Sequence, residues 1–197
     1  VKRAWEMFLI LVSAPIWAPL TMIVMALVWL RMGRPVVFVQ ERPGLHGRPF
    51  RLIKFRSMRQ GVGADEERLT TFGRWLRRTS LDELPELWNV MCGDMALVGP
   101  RPLLMAYLPL YTTEQARRHD VRPGLTGWAQ VNGRNAQTWD DRLALDVWYV
   151  EHHTWCLDMR ILVRTLGMVV MGYGICSADH ATMPPFAGKT DGGQNNL

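Results

Sequence analysis

Hydrophobic positions dominate the start of the chain. Residues 7–30 hold 24 positions without a charge, and apolar side chains fall on every face of a helical projection. A straight helix of that length reaches roughly 36 Å at about 1.5 Å per residue. That is enough to cross a hydrocarbon core of about 30 Å. A soluble core helix rarely shows such a run, and a signal peptide has a shorter one followed by a small-residue cleavage site. Pro15 and Pro19 each remove a backbone donor, so a kink is expected there, with Ser13 placed to satisfy a freed carbonyl. Lys2 and Arg3 precede the run, and Arg31 and Arg34 follow it. Basic flanks at both ends place both ends on the cytoplasmic side. The pattern predicts a re-entrant helix–break–helix anchor over residues 1–34, with Ser13 and Pro15 at the break. A single tilted span is the alternative.

Beyond the anchor the pattern changes period. Residues 36–40 are rich in β-branched side chains and read as a strand. Pro43, Gly44 and Gly47 mark a turn, and residues 50–58 alternate apolar and basic positions. Together they predict a small β-hairpin with one basic face. Residues 69–78 read as a short amphipathic helix, and Thr79 opens a second one running to about Met91. Residues 107–119 read as helical, and residues 123–133, with three glycines, as loops with short extended pieces. Residues 139–152 read as a helix with Leu143, Val147 and Val150 on one face. Residues 157–171 form an apolar helix suited to the core or to the membrane interface. Trp148, Tyr149 and Trp155 before it suit the headgroup layer. The polar tail, residues 189–197, reads as disordered. The fold class is α+β and mostly helical: an anchor (1–34) and a compact core with interfacial amphipathic helices (35–188).

Composition adds two asymmetries. The chain has 197 residues, net charge +5 and three cysteines with no C-x-x-C pair. This excludes a disulfide scaffold, a cysteine-rich zinc site and a disordered chain, and it suits a reducing compartment. Residues 1–59 carry ten basic and two acidic side chains, net +8, whereas residues 60–197 carry thirteen and sixteen, net −3. Only three of the 23 basic residues are lysines. Arginine's planar fork suits phosphate and carboxylate, so the bias hints at an anionic ligand.

The candidate chemistry lies near Asp82. Ser80-Leu81-Asp82-Glu83 fits a capping box, which would set Asp82 in the first turn of a helix, where dipole and amides favour an ionised carboxylate. Such a group can attack phosphorus or hold Mg²⁺. Arg74, Arg77 and Arg78 precede it, and Arg101 follows between Pro100 and Pro102, which limit its conformations. No P-loop, G-x-G-x-x-G, H-E-x-x-H or G-x-S-x-G motif is present. His152 and His153 lack partners at metal-ligand spacing and read as surface residues. Two other readings stand at this level. One is a non-catalytic membrane-anchored module binding anionic lipid or nucleic acid through residues 31–59, though the acidic residues near Asp82 argue against nucleic acid. The other is a multi-span transferase, which lacks a second clear apolar span.

The ordered motifs resemble the bacterial sugar transferases, and among them the small monotopic phosphoglycosyl transferases. They are Lys2-Arg3, Ser13-Ala14-Pro15, Gly33-Arg34-Pro35-Val36-Val37-Phe38-Val39-Gln40, Lys54-Phe55-Arg56-Ser57-Met58 and Thr79-Ser80-Leu81-Asp82-Glu83-Leu84-Pro85. Gly93-Asp94-Met95, Val98-Gly99-Pro100-Arg101-Pro102 and Arg122-Pro123-Gly124-Leu125-Thr126-Gly127-Trp128 complete the set. The segment His180-Ala181-Thr182-Met183-Pro184-Pro185-Phe186 also resembles the small members, whereas Glu86 departs from the glutamine many members carry.

The resemblance implies transfer of a phospho-sugar from a UDP-sugar to polyprenyl phosphate at the cytoplasmic face of a bacterial inner membrane. An N-acetylated amino sugar is the implied donor type. It implies Asp82 as nucleophile and Mg²⁺ ligand, with Glu83 supporting the metal or the geometry. Lys54, Arg56, Arg77, Pro100, Arg101, Pro102, Gln130 and Arg134 are the implied substrate-binding residues, with the Pro-Arg-Pro loop near the uridine. Partners would be the donor, the acceptor lipid and the bilayer, with no nucleic acid; a homodimer is compatible.

Overall fold

The computed structural model describes residues 2–61, 65–133, 138–171 and 186–188. Helix α1 (Lys2–Met32) leads into strand β1 (Val37–Pro43) and strand β2 (Pro49–Phe55), then helices α2 (Asp65–Arg68), α3 (Thr71–Arg78) and α4 (Glu86–Cys92). Strand β3 (Ala96–Val98), helix α5 (Thr113–Ala116), strand β4 (Gly124–Thr126) and helix α6 (Trp128–Asn132) follow. Helices α7 (Trp139–His152) and α8 (Trp155–Met171) close the order. The structure is mostly helical, as expected. The tail after residue 188 and most of the His180–Phe186 motif lie outside the described residues.

Helix α1 runs without interruption through Pro15 and Pro19, where a break is expected from the prolines. Ser13 Oγ donates to the Leu9 carbonyl at 2.6 Å, a back-bond of the kind that bends helices. Trp17 Nε1 donates to the Ile10 carbonyl at 2.9 Å. Glu6, Ile10, Val24 and Val28 are buried, whereas Phe8, Leu11, Val12, Ile16, Met22, Ile23, Trp29 and Leu30 are exposed. The helix therefore lies along the body on one stripe and leaves its other side bare. It is long and apolar enough to cross a membrane.

Both ends of α1 are fastened. Lys2 Nζ bonds the Val98 carbonyl at 2.9 Å and the Tyr149 hydroxyl at 2.8 Å, and pairs with buried Asp158 at 2.9 Å. Arg3 donates to the carbonyls of Val90 and Met91. Glu6 accepts from the Leu97 amide at 3.0 Å. At the far end Arg56 donates to the carbonyls of Met32 and Gly33. These bonds satisfy some of the carbonyls a helix C-terminus leaves open.

Two core clusters lie along this helix. Ile10 packs with Leu52, Val90, Met95, Val98, Tyr149 and Ile161; Val24 and Val28 pack with Phe55 and Leu76. Strands β1 and β2 pair antiparallel, with Val37 opposite Phe55 and Pro43 opposite Pro49. The pairing carries the first strand three residues past its predicted end. Strands β3 and β4 pair in parallel, Ala96 opposite Gly124 and Val98 opposite Thr126. A Cβ at Gly124 would sit 2.0 Å from the Gly99 amide nitrogen, so this crossing requires glycine. It fixes the exit of the chain into Pro100-Arg101-Pro102.

Several expectations change. Residues 107–119 are not one helix. Met105–Leu110 and Arg117–His119 are 3₁₀ turns around α5, because Pro109 cannot extend a helix and Thr112 caps a new one. Residues 123–133 hold a paired strand and a helix. Tyr149 is not at a headgroup surface: it is 1 % exposed and donates to Asp158 at 2.6 Å. Helix α8 buries Asp158 and Ile161 but leaves Trp155, Val163, Leu166 and Met171 exposed, so it has a core face and a bare apolar face. Helix α7 matches its expected limits and starts on a Thr138 capping box.

A buried ion pair braces the Pro-Arg-Pro loop. Arg118 and Asp146 are each 2 % exposed; Arg118 reaches Asp146 at 2.7 Å and the Arg101 carbonyl at 2.7 Å. Arg118→Met strands a buried carboxylate and should cost about 3–5 kcal/mol in denaturant unfolding of the detergent-solubilised protein. Adding Asp146→Leu should recover most of the loss; no recovery would contradict the pair's role.

Candidate active site

Asp82 does not sit in a capped α-helix. Ser80 adopts a left-handed conformation (φ 56, ψ 17) and makes no side-chain cap bond. Leu81–Glu83 form one 3₁₀ turn, and α4 begins only after Pro85. The expected capping box and first-turn placement are corrected accordingly. A left-handed serine is a costly backbone state that favours a tight reversal, and here it turns Asp82 inward. Asp82 is 7 % exposed.

Cations converge on the two carboxylates from three directions. Lys54 on β2 pairs with Glu83 at 2.9 Å and with Glu86, at the start of α4, at 2.9 Å. Arg101 bonds Glu83 from the Pro-Arg-Pro loop. Arg77 on α3 donates to Ser57 Oγ at 3.0 Å and acts on Asp82 through its charge. Helix α3 can approach that closely because Gly73 has no side chain: a Cβ there would lie 1.8 Å from the Ser57 carbonyl oxygen.

The resulting electrostatics divide the dyad. Burial pushes Glu83 up, but Arg101 and Lys54 together outweigh it and hold the carboxyl well below the usual carboxylate range. Burial, then the Glu83 charge, push Asp82 up to about 6, against the pull of Lys54, Arg77 and Arg101. Burial and Glu83 also raise Glu86, to about 7. One carboxylate is thus committed to its cations, while its neighbour keeps a basic lone pair. That division matches an anchor and a nucleophile.

A cavity of about 120 Å³ opens beside this cluster. Arg42, Lys54, Glu86, Arg101, Pro102 and Arg142 line it with two leucines. Arg42 Nε is buried without a hydrogen-bond partner, so the wall presents a donor to a ligand, whereas Glu86 Oε1 already faces Lys54 Nζ. Sequence reasoning missed Arg42 and Arg142, which reach the cavity from β1 and α7.

The other expected residues fall in different places. Arg56 is committed to the end of α1, where its guanidinium is buried. Gln130 donates to the Leu125 carbonyl at 3.3 Å and is not among the cavity's lining residues. Arg134 lies outside the described residues. Pro100 is buried behind Arg101. The basic hairpin face is therefore partly consumed inside the protein, since Lys54 and Arg56 both point into structure. His152 and His153 are exposed, as expected.

Metal capacity at the dyad rests on few ligands. Among the described residues no group of three His, Cys, Asp or Glu side chains converges. Mg²⁺ commonly uses only one or two carboxylates and completes its shell with water and substrate phosphate. Asp82, whose pKa burial and then the Glu83 charge raise, fits that pattern, with Glu83 beside it.

The bacterial sugar transferase family model matches residues 1–172. The chain is 55 % identical over 172 residues to the uncharacterized sugar transferase EpsL of Bacillus subtilis, covering 84 % of this chain and 85 % of that protein. It is 35 % identical over 188 residues to a UDP-N-acetylgalactosamine-undecaprenyl-phosphate N-acetylgalactosaminephosphotransferase of Aeromonas hydrophila, covering 88 % of this chain and 44 % of that protein. It is 43 % identical over 148 residues to a UDP-glucose:undecaprenyl-phosphate glucose-1-phosphate transferase of Xanthomonas campestris, covering 66 % of this chain and 31 % of that protein. The chain thus spans less than half of these two longer relatives. It belongs to the bacterial sugar transferase family.

The Asp82 environment sets a stability test. A carboxyl raised from 3.8 to about 6 stabilises the folded state fully at low pH, and that contribution is lost as pH rises through about 6. Asp82→Asn cannot ionise. In metal-free buffer it should be more stable than the parent by about 1–3 kcal/mol above about pH 7, with the gap closing towards about pH 4. A gap independent of pH would contradict the burial of an ionisable Asp82.

Proposed function

We propose that this chain transfers a phospho-sugar from a UDP-sugar to polyprenyl phosphate, releasing UMP, through a covalent intermediate on Asp82. The carrying observation is one buried, basic carboxylate beside Glu83 and surrounded by Lys54, Arg77 and Arg101. An Asp82 oxygen attacks the β-phosphorus; the bond to the bridging oxygen breaks, and UMP leaves with the electron pair. A phosphate oxygen of the acceptor then attacks the same phosphorus, and the Asp82 carboxylate leaves. Lys54, Arg77 and Arg101 offset the repulsion between a carboxylate and a diphosphate and hold the charge that develops on transfer. Mg²⁺, held by Asp82 with Glu83 in support, would supply further neutralisation of the diphosphate. An N-acetylated amino sugar is the donor to test first, as the relative from Aeromonas hydrophila is named for one.

The anchor reading follows from the two fastened ends of α1. A helix whose first and last turns both bond the same body supports a re-entrant path, with the body and the acceptor phosphate at the cytoplasmic face of the inner membrane. Arg31 and Arg34 add attraction of about 1 kcal/mol each to an anionic leaflet.

Purified protein mixed with UDP-sugar, Mg²⁺ and undecaprenyl phosphate should release UMP. Asp82→Asn and Asp82→Ala should lower the rate at least about a thousandfold. Full activity in either variant would remove the mechanism. For topology, cysteines placed before Lys2 and after Arg34, in a background lacking Cys92, Cys156 and Cys176, should label from the same side. Labelling from opposite sides would refute the re-entrant path.

A further inference from the structure

A second concave surface is separate from the cavity beside the dyad and shares no lining residue with it. A groove of about 380 Å³ runs between the C-terminal half of α1 and α3, lined by Leu27, Arg31, Thr71, Phe72 and Trp75. Phe72 and Trp75 stack with centroids 5.7 Å apart, and Trp75 is 44 % exposed. The wall is therefore apolar and aromatic, and it ends in a cation and a hydroxyl.

We propose that this groove seats the acceptor lipid, with the isoprene units nearest the phosphate against Leu27, Phe72 and Trp75 and the phosphate towards Arg31. The assignment rests on the transferase reading above and locates its second substrate. The ligand needs an apolar chain site that ends at a positive charge, and the groove offers that sequence of surfaces. Helix α1 becomes basic again only at Arg31, so the polar end of the groove lies where the helix leaves its apolar stretch. The groove wall also shares a core cluster with the turn that carries the nucleophile. Phe72 packs on the cluster of Val24, Val28, Phe55 and Leu76, which also receives Leu81 and Leu84 on either side of Asp82. Helix α3 carries Phe72 and Trp75 into the groove and Arg77 towards Asp82. The helix that walls the groove is thus the one that leads into the turn of the carboxylate the acceptor must relieve.

Because the two half-reactions separate, the test is specific. Without acceptor, the protein should release a burst of UMP that reports the donor step alone. In Trp75→Ala the KM for undecaprenyl phosphate should rise about tenfold while the burst amplitude persists, and Trp75→Phe should restore most of the loss. An unchanged acceptor KM in Trp75→Ala would overturn the groove assignment. In the unmodified protein, a diazirine-bearing polyprenyl phosphate should label the stretches around Leu27 and Phe72–Trp75, and undecaprenyl phosphate should compete the label away. Labelling elsewhere, or competition by phosphatidylglycerol just as strong, would mark the groove as an ordinary lipid-facing wall or a contact for another partner and overturn the proposal. Absence of a burst in the unmodified protein would instead count against the transferase reading, and the labelling would still decide the groove.

Discussion

An apolar helix fastened to the same body at both ends is the constraint on which the rest depends. Lys2 and Arg3 bind one end of it, through Asp158, Tyr149 and the end of α4, and Arg56 binds the other. Between these points a stripe from Glu6 to Val28 is buried, while the opposite side is bare hydrocarbon. In the function proposed above, this helix would hold the carboxylate cluster at the depth of lipid headgroups, where a nucleotide-sugar from water and a phosphate on a lipid can both arrive.

The charge distribution follows from that placement. A net +8 segment surrounds the anchor, yet its members divide between structure and chemistry. Arg56 closes the helix, while Lys54 crosses to Glu83 and Glu86. The cations that hold Glu83 low leave Asp82, one residue away, raised by burial and by its neighbour's charge. Two adjacent carboxylates thereby acquire different duties from their surroundings alone. The buried Arg118–Asp146 pair keeps Arg101 in position from behind, so the site is supported from the core side as well.

Much of this was legible in the sequence because it is periodic or local. The apolar run of α1, the alternation of the hairpin and the face of α7 follow from spacing. The motif order pointed to the family, and the dyad with Arg77 and Arg101 proved to be one cluster. What spacing could not show is tertiary. Ser80 looks like a cap but takes a left-handed turn, which sequence does not distinguish at a serine. Arg42 and Arg142 are unremarkable in their own elements and meet only because β1 and α7 converge on one cavity. Tyr149 reads as an interfacial aromatic until its hydroxyl is seen bonded to buried Asp158.

The central claim is that Asp82 itself carries the sugar phosphate between donor and acceptor. Intact-protein mass spectrometry after quenching a donor-only reaction tests it directly. The expected result is a mass increase of one phospho-sugar, mapped to the peptide holding Asp82 and lost when undecaprenyl phosphate is added. Formation of lipid product with no adduct at any quench time, or an adduct on another residue, would contradict it.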